Sequence, residues 1–104
     1  MPKFREALRH ALARVPGITQ RPSRWGGAPA YFAGDREIAH FHRDGSLDVR
    51  LTRALLREKR VTRTLDPRLR TRGPSSEWAA VSASDPRDLP FVVTLVEEAV
   101  RANG

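Results

Sequence analysis

Residues 36–51 read Arg36-Glu37-Ile38-Ala39-His40-Phe41-His42-Arg43-Asp44-Gly45-Ser46-Leu47-Asp48-Val49-Arg50-Leu51. Two runs of strand type alternate in polarity around an Asp-Gly pair, the pattern of a β-hairpin. The loop length decides what the hairpin shows to each side. A two-residue Asp44-Gly45 loop pairs His42 with Leu47 and turns both histidines toward Val49 and Leu51. A three-residue loop, with Gly45 as a left-handed bulge, pairs His42 with Ser46 and His40 with Asp48. Only the second register gathers Phe41, Leu47 and Val49 on one face and His40, His42 and Asp48 on the other. It is therefore preferred, because a one-residue slip exchanges every side chain between faces.

Working outward, residues 3–14 predict a helix. Phe4, Ala7, Leu8, Ala11, Leu12 and Val15 recur at helical spacing, and Lys3, Glu6, His10 and Arg14 take the opposite side. Pro16-Gly17 ends it. Strands follow over about 18–24, 29–33, 36–42 and 46–51, joined by short turns that predict an antiparallel meander. Pro22 cannot donate to a ladder, which puts the first strand at an edge or a bulge. Thr52 is placed to cap a short helix over about 53–60. Residues 62–76 are polar, rich in arginine and broken by Pro67, Gly73 and Pro74, and read as a long loop. A fifth strand covers about 77–83. The last helix starts at Asp85-Pro86 or Asp88, runs to about residue 102 and carries a broad apolar face of Leu89, Val92, Val93, Val96, Ala99 and Val100.

The expected architecture is a single α+β domain over residues 1–104. A five-stranded antiparallel sheet carries an N-terminal, a short middle and a long C-terminal helix, in the order α-β-β-β-β-α-β-α. A chain of 104 residues suffices to bury a core unaided. The absence of cysteine excludes disulfides, thiol catalysis and cysteine-based metal sites. No stretch approaches the ~20 apolar residues of a membrane span, and the N-terminus lacks a signal-peptide core. A cytoplasmic protein without membrane partners is the expectation.

Charge is segregated. Residues 50–72 hold nine basic side chains and two acids (Glu58 and Asp66), a balance of +7 equal to that of the whole chain. Such a segment suits nucleic acid or another polyanion, with Arg53, Arg57, Arg60, Arg63, Arg68, Arg70 and Arg72 as the binding residues. Trp25 and Trp78 are the side chains able to stack on a base. The alternatives are a solvated basic face and tryptophans that only cover the rim of a small core. Arginine outnumbers lysine by 17 to two, a skew that a GC-rich coding sequence also produces.

His40 and His42 are two of only three histidines. Alternate strand residues point the same way, about 7 Å apart. With Asp48, and Arg50 on the same strand face, they form the one dense cluster of titratable groups and the candidate ligand pocket. A metal there needs a third ligand. Asp48 is the natural one, ahead of Glu37 and Asp44. The alternative is a structural histidine pair held by hydrogen bonds. No nucleophile elbow, phosphate loop or cofactor motif is present. The sequence thus assigns no catalytic residue, metal or cofactor, leaves the oligomeric state open and leans away from an enzyme. The readings kept are a polyanion-binding domain, a small enzyme or ligand- and metal-binding domain around His40, His42 and Asp48, and a protein-interaction domain.

Several segments together are similar to the luciferase-domain family of small bacterial proteins. They are Arg24-Trp25-Gly26-Gly27, Pro29-Ala30-Tyr31-Phe32, Glu37-Ile38-Ala39-His40-Phe41-His42, Asp44-Gly45-Ser46-Leu47-Asp48-Val49-Arg50-Leu51 and Ser76-Glu77-Trp78. The resemblance spans about residues 17–101. It implies a His-x-His strand, a Leu-Asp-x-Arg-Leu strand, a tryptophan-bearing fifth strand and a closing amphipathic helix, in a mostly uncharacterised family. Nothing resembles flavin-dependent bacterial luciferase. The element order also resembles the double-wing, YjbR-type proteins, for which a DNA-binding role is suggested.

Overall fold

The structure is a computed structural model that describes residues 2–22, 29–42, 46–61, 68–71, 76–83 and 85–103. Its elements are α1 (Pro2–Ala13), β1 (Ile18–Pro22), β2 (Pro29–Ala33), β3 (Arg36–Phe41), β4 (Leu47–Arg50), α2 (Arg53–Val61), β5 (Leu69–Thr71), β6 (Trp78–Val81) and α3 (Leu89–Asn103). The strands form one antiparallel sheet in the order β1-β2-β3-β4-β6-β5. The α+β architecture and the meander of the first four strands match the sequence reading.

The sheet has six strands where five were expected. The extra one, β5, lies inside the segment read as a loop. Arg68-Leu69-Arg70-Thr71 alternates polarity over a single apolar residue, too short a run to stand out. Leu69 is buried opposite Val81, and Arg70 pairs with Ala80. A three-residue edge strand with an exposed arginine also resists further pairing. At the opposite edge lies β1, ending at Pro22 as its missing donor requires.

One face of the sheet is covered by α1 and α3, which pack on each other, α3 over β3 and β4 and α1 against β1. Leu8 and Leu12 of α1 and Val92, Leu95, Val96 and Ala99 of α3 join Tyr31, Ile38, Ala39, Leu47, Val49, Ala79 and Val81 in one apolar cluster, to which α2 adds Leu56. The α1 stripe is narrower than its periodicity implies, for Ala7 is exposed. Gly17 turns the chain from α1 into β1 with φ +87°, and a Cβ there would stand 3.1 Å from Val100 Cγ1. Both the left-handed backbone and the close helix favour glycine. Asp85 caps a 3-10 turn (Pro86–Asp88) by accepting from the Arg87 N–H at 2.8 Å, and α3 follows with Pro90 in its first turn. At the far end of α3, Asn103 Nδ2 donates to the carbonyls of Arg50 and Ala99, each at 2.8 Å. This ties the helix to the end of β4. Among the described residues no helix is long and apolar enough to cross a membrane.

Two local features shape the other face. Tyr31 pairs with Ala39 but Phe32 with Glu37, so Ile38 is an extra residue, a β-bulge. Ile38 and Ala39 both reach the apolar cluster, and Glu37 is carried onto the face of His40. Thr52, which joins β4 to α2, has φ +78°, unusual for a β-branched residue. Its N–H and that of Leu51 both donate to the Glu77 carbonyl, at 3.1 and 2.8 Å. Its Oγ1 accepts from Leu55 N at 3.4 Å, the cap read from the sequence.

Candidate functional site

The β3–β4 ladder pairs His40 with Asp48, Ala39 with Val49 and Phe41 with Leu47, and the His42 N–H donates to the Ser46 carbonyl at 2.8 Å. This is the register that binary patterning selects. His40, His42 and Asp48 share one face, and Phe41, Leu47 and Val49 the other. Gly45, whose positive φ was expected, lies outside the described residues, as does Asp44.

The cluster is tight. Asp48 Oδ2 accepts from Nε2 of His42 and lies 3.4 Å from Nε2 of His40. The two imidazole centroids are 5.5 Å apart. One donor atom from each of the three residues fits within a 4.8 Å set. On the far side of His40, Nδ1 stands 2.9 Å from Glu37 Oε2, although the carboxylate lies off the N–H direction and forms no aligned hydrogen bond. Burial is graded. The Asp48 side chain is 8% exposed, that of His40 18% and that of His42 38%. The cluster therefore opens to solvent beside His42.

Two buried carboxylates would be costly without partners. Here they face two imidazoles. The hydrogen bond to Asp48 holds the His40 pKa above its ordinary value. Burial opposes this, and the charges of Asp48 and Glu37 reinforce it. Glu37 ranked below Asp48 as a ligand in the sequence, and strict strand alternation would point it away from His40. The adjacent apolar pair Ile38-Ala39, which interrupts that alternation, is the signal of the bulge that turns it back.

Arg50 and Trp78 continue the same face. They pair across β4 and β6, with the guanidinium 5.7 Å from the indole centroid. Arg50 Nε donates to Glu77 Oε1 at 2.6 Å and thereby holds the Glu77 carboxyl below its usual range. Trp78 packs on His40 with ring centroids 5.0 Å apart, and its backbone N–H donates to Ser76 Oγ at 3.0 Å. Trp78 thus forms a wall of the histidine cluster. Arg50 adjoins it through that wall. His10 is exposed on α1.

The arginines of residues 50–72 are divided. Arg53 and Arg57 are exposed on α2, which belongs to the helical side, and Arg70 is exposed on β5. Arg68 is committed to Asp88 at 2.5 Å and lies over the Phe91 ring at 3.8 Å. These contacts span long sequence separations and have no local signature. Arg63, Arg72 and Trp25 lie outside the described residues, as does the side chain of Arg60.

The donor set suits a divalent transition metal. A tetrahedral ion with bonds of about 2.0–2.1 Å spaces its ligand atoms by about 3.3 Å. The 3.4 Å gap between His40 and Asp48 already has that size. Two histidines and one carboxylate leave at least one coordination position open. Without an ion, the same groups can exchange a proton through Asp48. A family model described as the Luciferase domain matches residues 35–99, which include β3, β4, β6 and most of α3. No curated protein and no solved structure matches the chain. The match covers well over half of the sequence and contains the whole histidine–carboxylate cluster: the chain belongs to the luciferase-domain family.

Proposed function

We propose that this domain binds a divalent transition-metal ion of the zinc type through His40 Nε2, His42 Nε2 and Asp48 Oδ2, with an open position facing solvent for a ligand. The observation that carries the reading is the convergence of three donor atoms from two neighbouring strands within 4.8 Å. Glu37, at 2.9 Å from His40 Nδ1, supports it. Metal-bound histidines commonly direct their second nitrogen to a carboxylate, which fixes the ring and raises its basicity. Calorimetric titration with zinc tests the reading. The wild type takes up one equivalent, and the pair His40→Ala and His42→Ala together abolishes uptake. A wild type that binds no zinc, or a double variant that binds it equally well, refutes it.

A second reading, weak binding of nucleic acid or another polyanion, is favoured by one observation. Arg53 and Arg57 stand one helical turn apart and exposed on α2. Phosphate contacts of this kind give affinity that falls steeply with salt. Replacing both by serine is expected to weaken DNA retention at low salt and flatten the salt dependence. Unchanged retention excludes α2 as the contact.

A further inference from the structure

The hydroxyl of Tyr31 is out of place in the apolar layer. The residue is fully buried with the α1 side chains Leu8 and Leu12, and its oxygen has no hydrogen-bond partner. A buried hydroxyl left unpaired carries its desolvation penalty uncompensated, and such an atom in a native protein calls for a bound water or ion. The group beside it is the Arg9 guanidinium. Burial holds the phenol above its ordinary pKa, and the charges of Arg9 and, more weakly, Arg5 draw it back. Arg9 forms no aligned hydrogen bond to the oxygen. Its side chain is exposed, so one flexible arginine stem stands between the oxygen and solvent. Arg5, one turn earlier on α1, is also exposed, and its guanidinium lies 4.4 Å from the centre of the Phe41 ring. Phe41 and Tyr31 belong to the same face of neighbouring strands, so both arginines hang over the same flank of the sheet. Gln20, the partner of Tyr31 on the edge strand β1, is exposed there too.

The two cations lack a counter-charge. Among the described residues neither forms an ion pair, and Glu6, the one acid of α1, is exposed and pairs with neither. Their placement does not favour the helix itself. Like charges four residues apart repel. Arg5 closes a first turn that contains no acid, where the helix dipole disfavours a cation.

We propose that Arg5, Arg9 and the Tyr31 hydroxyl together bind a phosphate group at the edge of α1 over β2. On binding, the exposed stem of Arg9 moves outward, and the phosphate takes the place its guanidinium holds beside the Tyr31 oxygen. The ligand supplies what each group lacks: an acceptor for the O–H and two negative charges for two guanidiniums. Donors that come from the helix above and the sheet below suit a tetrahedral anion, whose oxygens accept separately. A carboxylate has one charge and its two oxygens lie in one plane. The site is on the face opposite the histidine cluster, so the proposal is independent of the metal reading.

The test uses the full chain, freed of metal by a chelator and titrated calorimetrically with inorganic phosphate, phenyl phosphate and acetate. Both phosphates are expected to bind saturably at one site. A preference for phenyl phosphate identifies an esterified phosphate as the natural group, and a preference for inorganic phosphate identifies the free ion. Arg5→Gln, Arg9→Gln and Tyr31→Phe should each weaken binding by about tenfold or more, the size of a charge-assisted hydrogen bond. Arg14→Gln, which removes an exposed cation just beyond the end of α1, should leave it nearly unchanged. Thermal melting separates the proposed role of Tyr31 from a merely structural one. Without phosphate, Tyr31→Phe should melt no lower than the wild type, because it sheds an unpartnered hydroxyl. Added phosphate should raise the melting temperature of the wild type more than that of the variant. A wild type without saturable phosphate binding overturns the proposal, as does acetate binding as tightly as phosphate. An equal loss in Arg14→Gln and Arg9→Gln would reduce the effect to a general basic surface and overturn it too. Tyr31→Phe overturns it either by binding phosphate as the wild type does or by melting lower in the absence of phosphate, which would show the hydroxyl already partnered.

Discussion

The two faces of the sheet are built on different physics. The face under α1 and α3 is apolar and closes by packing, with Leu12, Ile38, Val49 and Val96 fully buried. The other face buries carboxylates. Glu37 and Asp48 are the buried charged residues of the described chain, and both turn to His40. A buried ion cluster seldom stabilises a fold better than hydrocarbon of the same volume. Its presence on one face, opposite a face that closes by apolar packing, points to a use other than holding the sheet together. Separate perturbation of the two faces should therefore give separable outcomes.

The largest effect is expected on the apolar face. Leu12→Ala removes a fully buried side chain from α1 and should cost about 2–5 kcal/mol in urea unfolding, with zinc affinity of the folded protein unchanged. Equal losses of both would mean that the faces are coupled. On the cluster face, Asp48→Asn should cost less, about 1–3 kcal/mol, and remove zinc uptake.

The metal-free protein should also show the cluster in its pH dependence. The folded pKa of His40 is raised above the 6.5 of an ordinary histidine. The stabilisation from its protonated form is complete below that unfolded value and is lost as pH rises through the folded pKa. Urea midpoints should therefore fall from pH 6.5 toward alkaline pH, and the slope should shrink in Asp48→Asn. A flat profile in the wild type would contradict the pairing.

A smaller effect tests the joint between the faces. Thr52 holds φ +78°, and its cap to Leu55 N is long at 3.4 Å. Asparagine tolerates the left-handed region and can cap, so Thr52→Asn should raise stability by about 1 kcal/mol, measured by thermal melting. A loss would show that the threonine methyl packs to advantage.

Much of the fold was legible because periodicity is local. The α1 and α3 stripes, the meander and the Thr52 cap all follow from residues within a few positions of one another. The histidine register was legible too, since only one loop length keeps Phe41, Leu47 and Val49 together. Two features were not. Strand β5 offers one apolar residue among arginines, and its partner Val81 lies 12 positions downstream. Glu37 joins the cluster only because a bulge at Ile38 breaks the alternation, and a bulge depends on which strand lies alongside. The engagement of Arg68 with Asp88 and Phe91 was hidden for the same reason, so a basic run gave no measure of how many arginines remain exposed.

The central claim is that His40 and His42 offer their Nε2 atoms to a metal. Long-range proton–nitrogen NMR of the three imidazoles during zinc addition tests it most directly, with the exposed His10 on α1 as an internal control. One equivalent of zinc should shift the Nε2 signals of His40 and His42 together, hold their Nδ1 positions protonated and leave His10 unmoved. Signals of His40 and His42 that stay in place, or that move no more than those of His10, would contradict it.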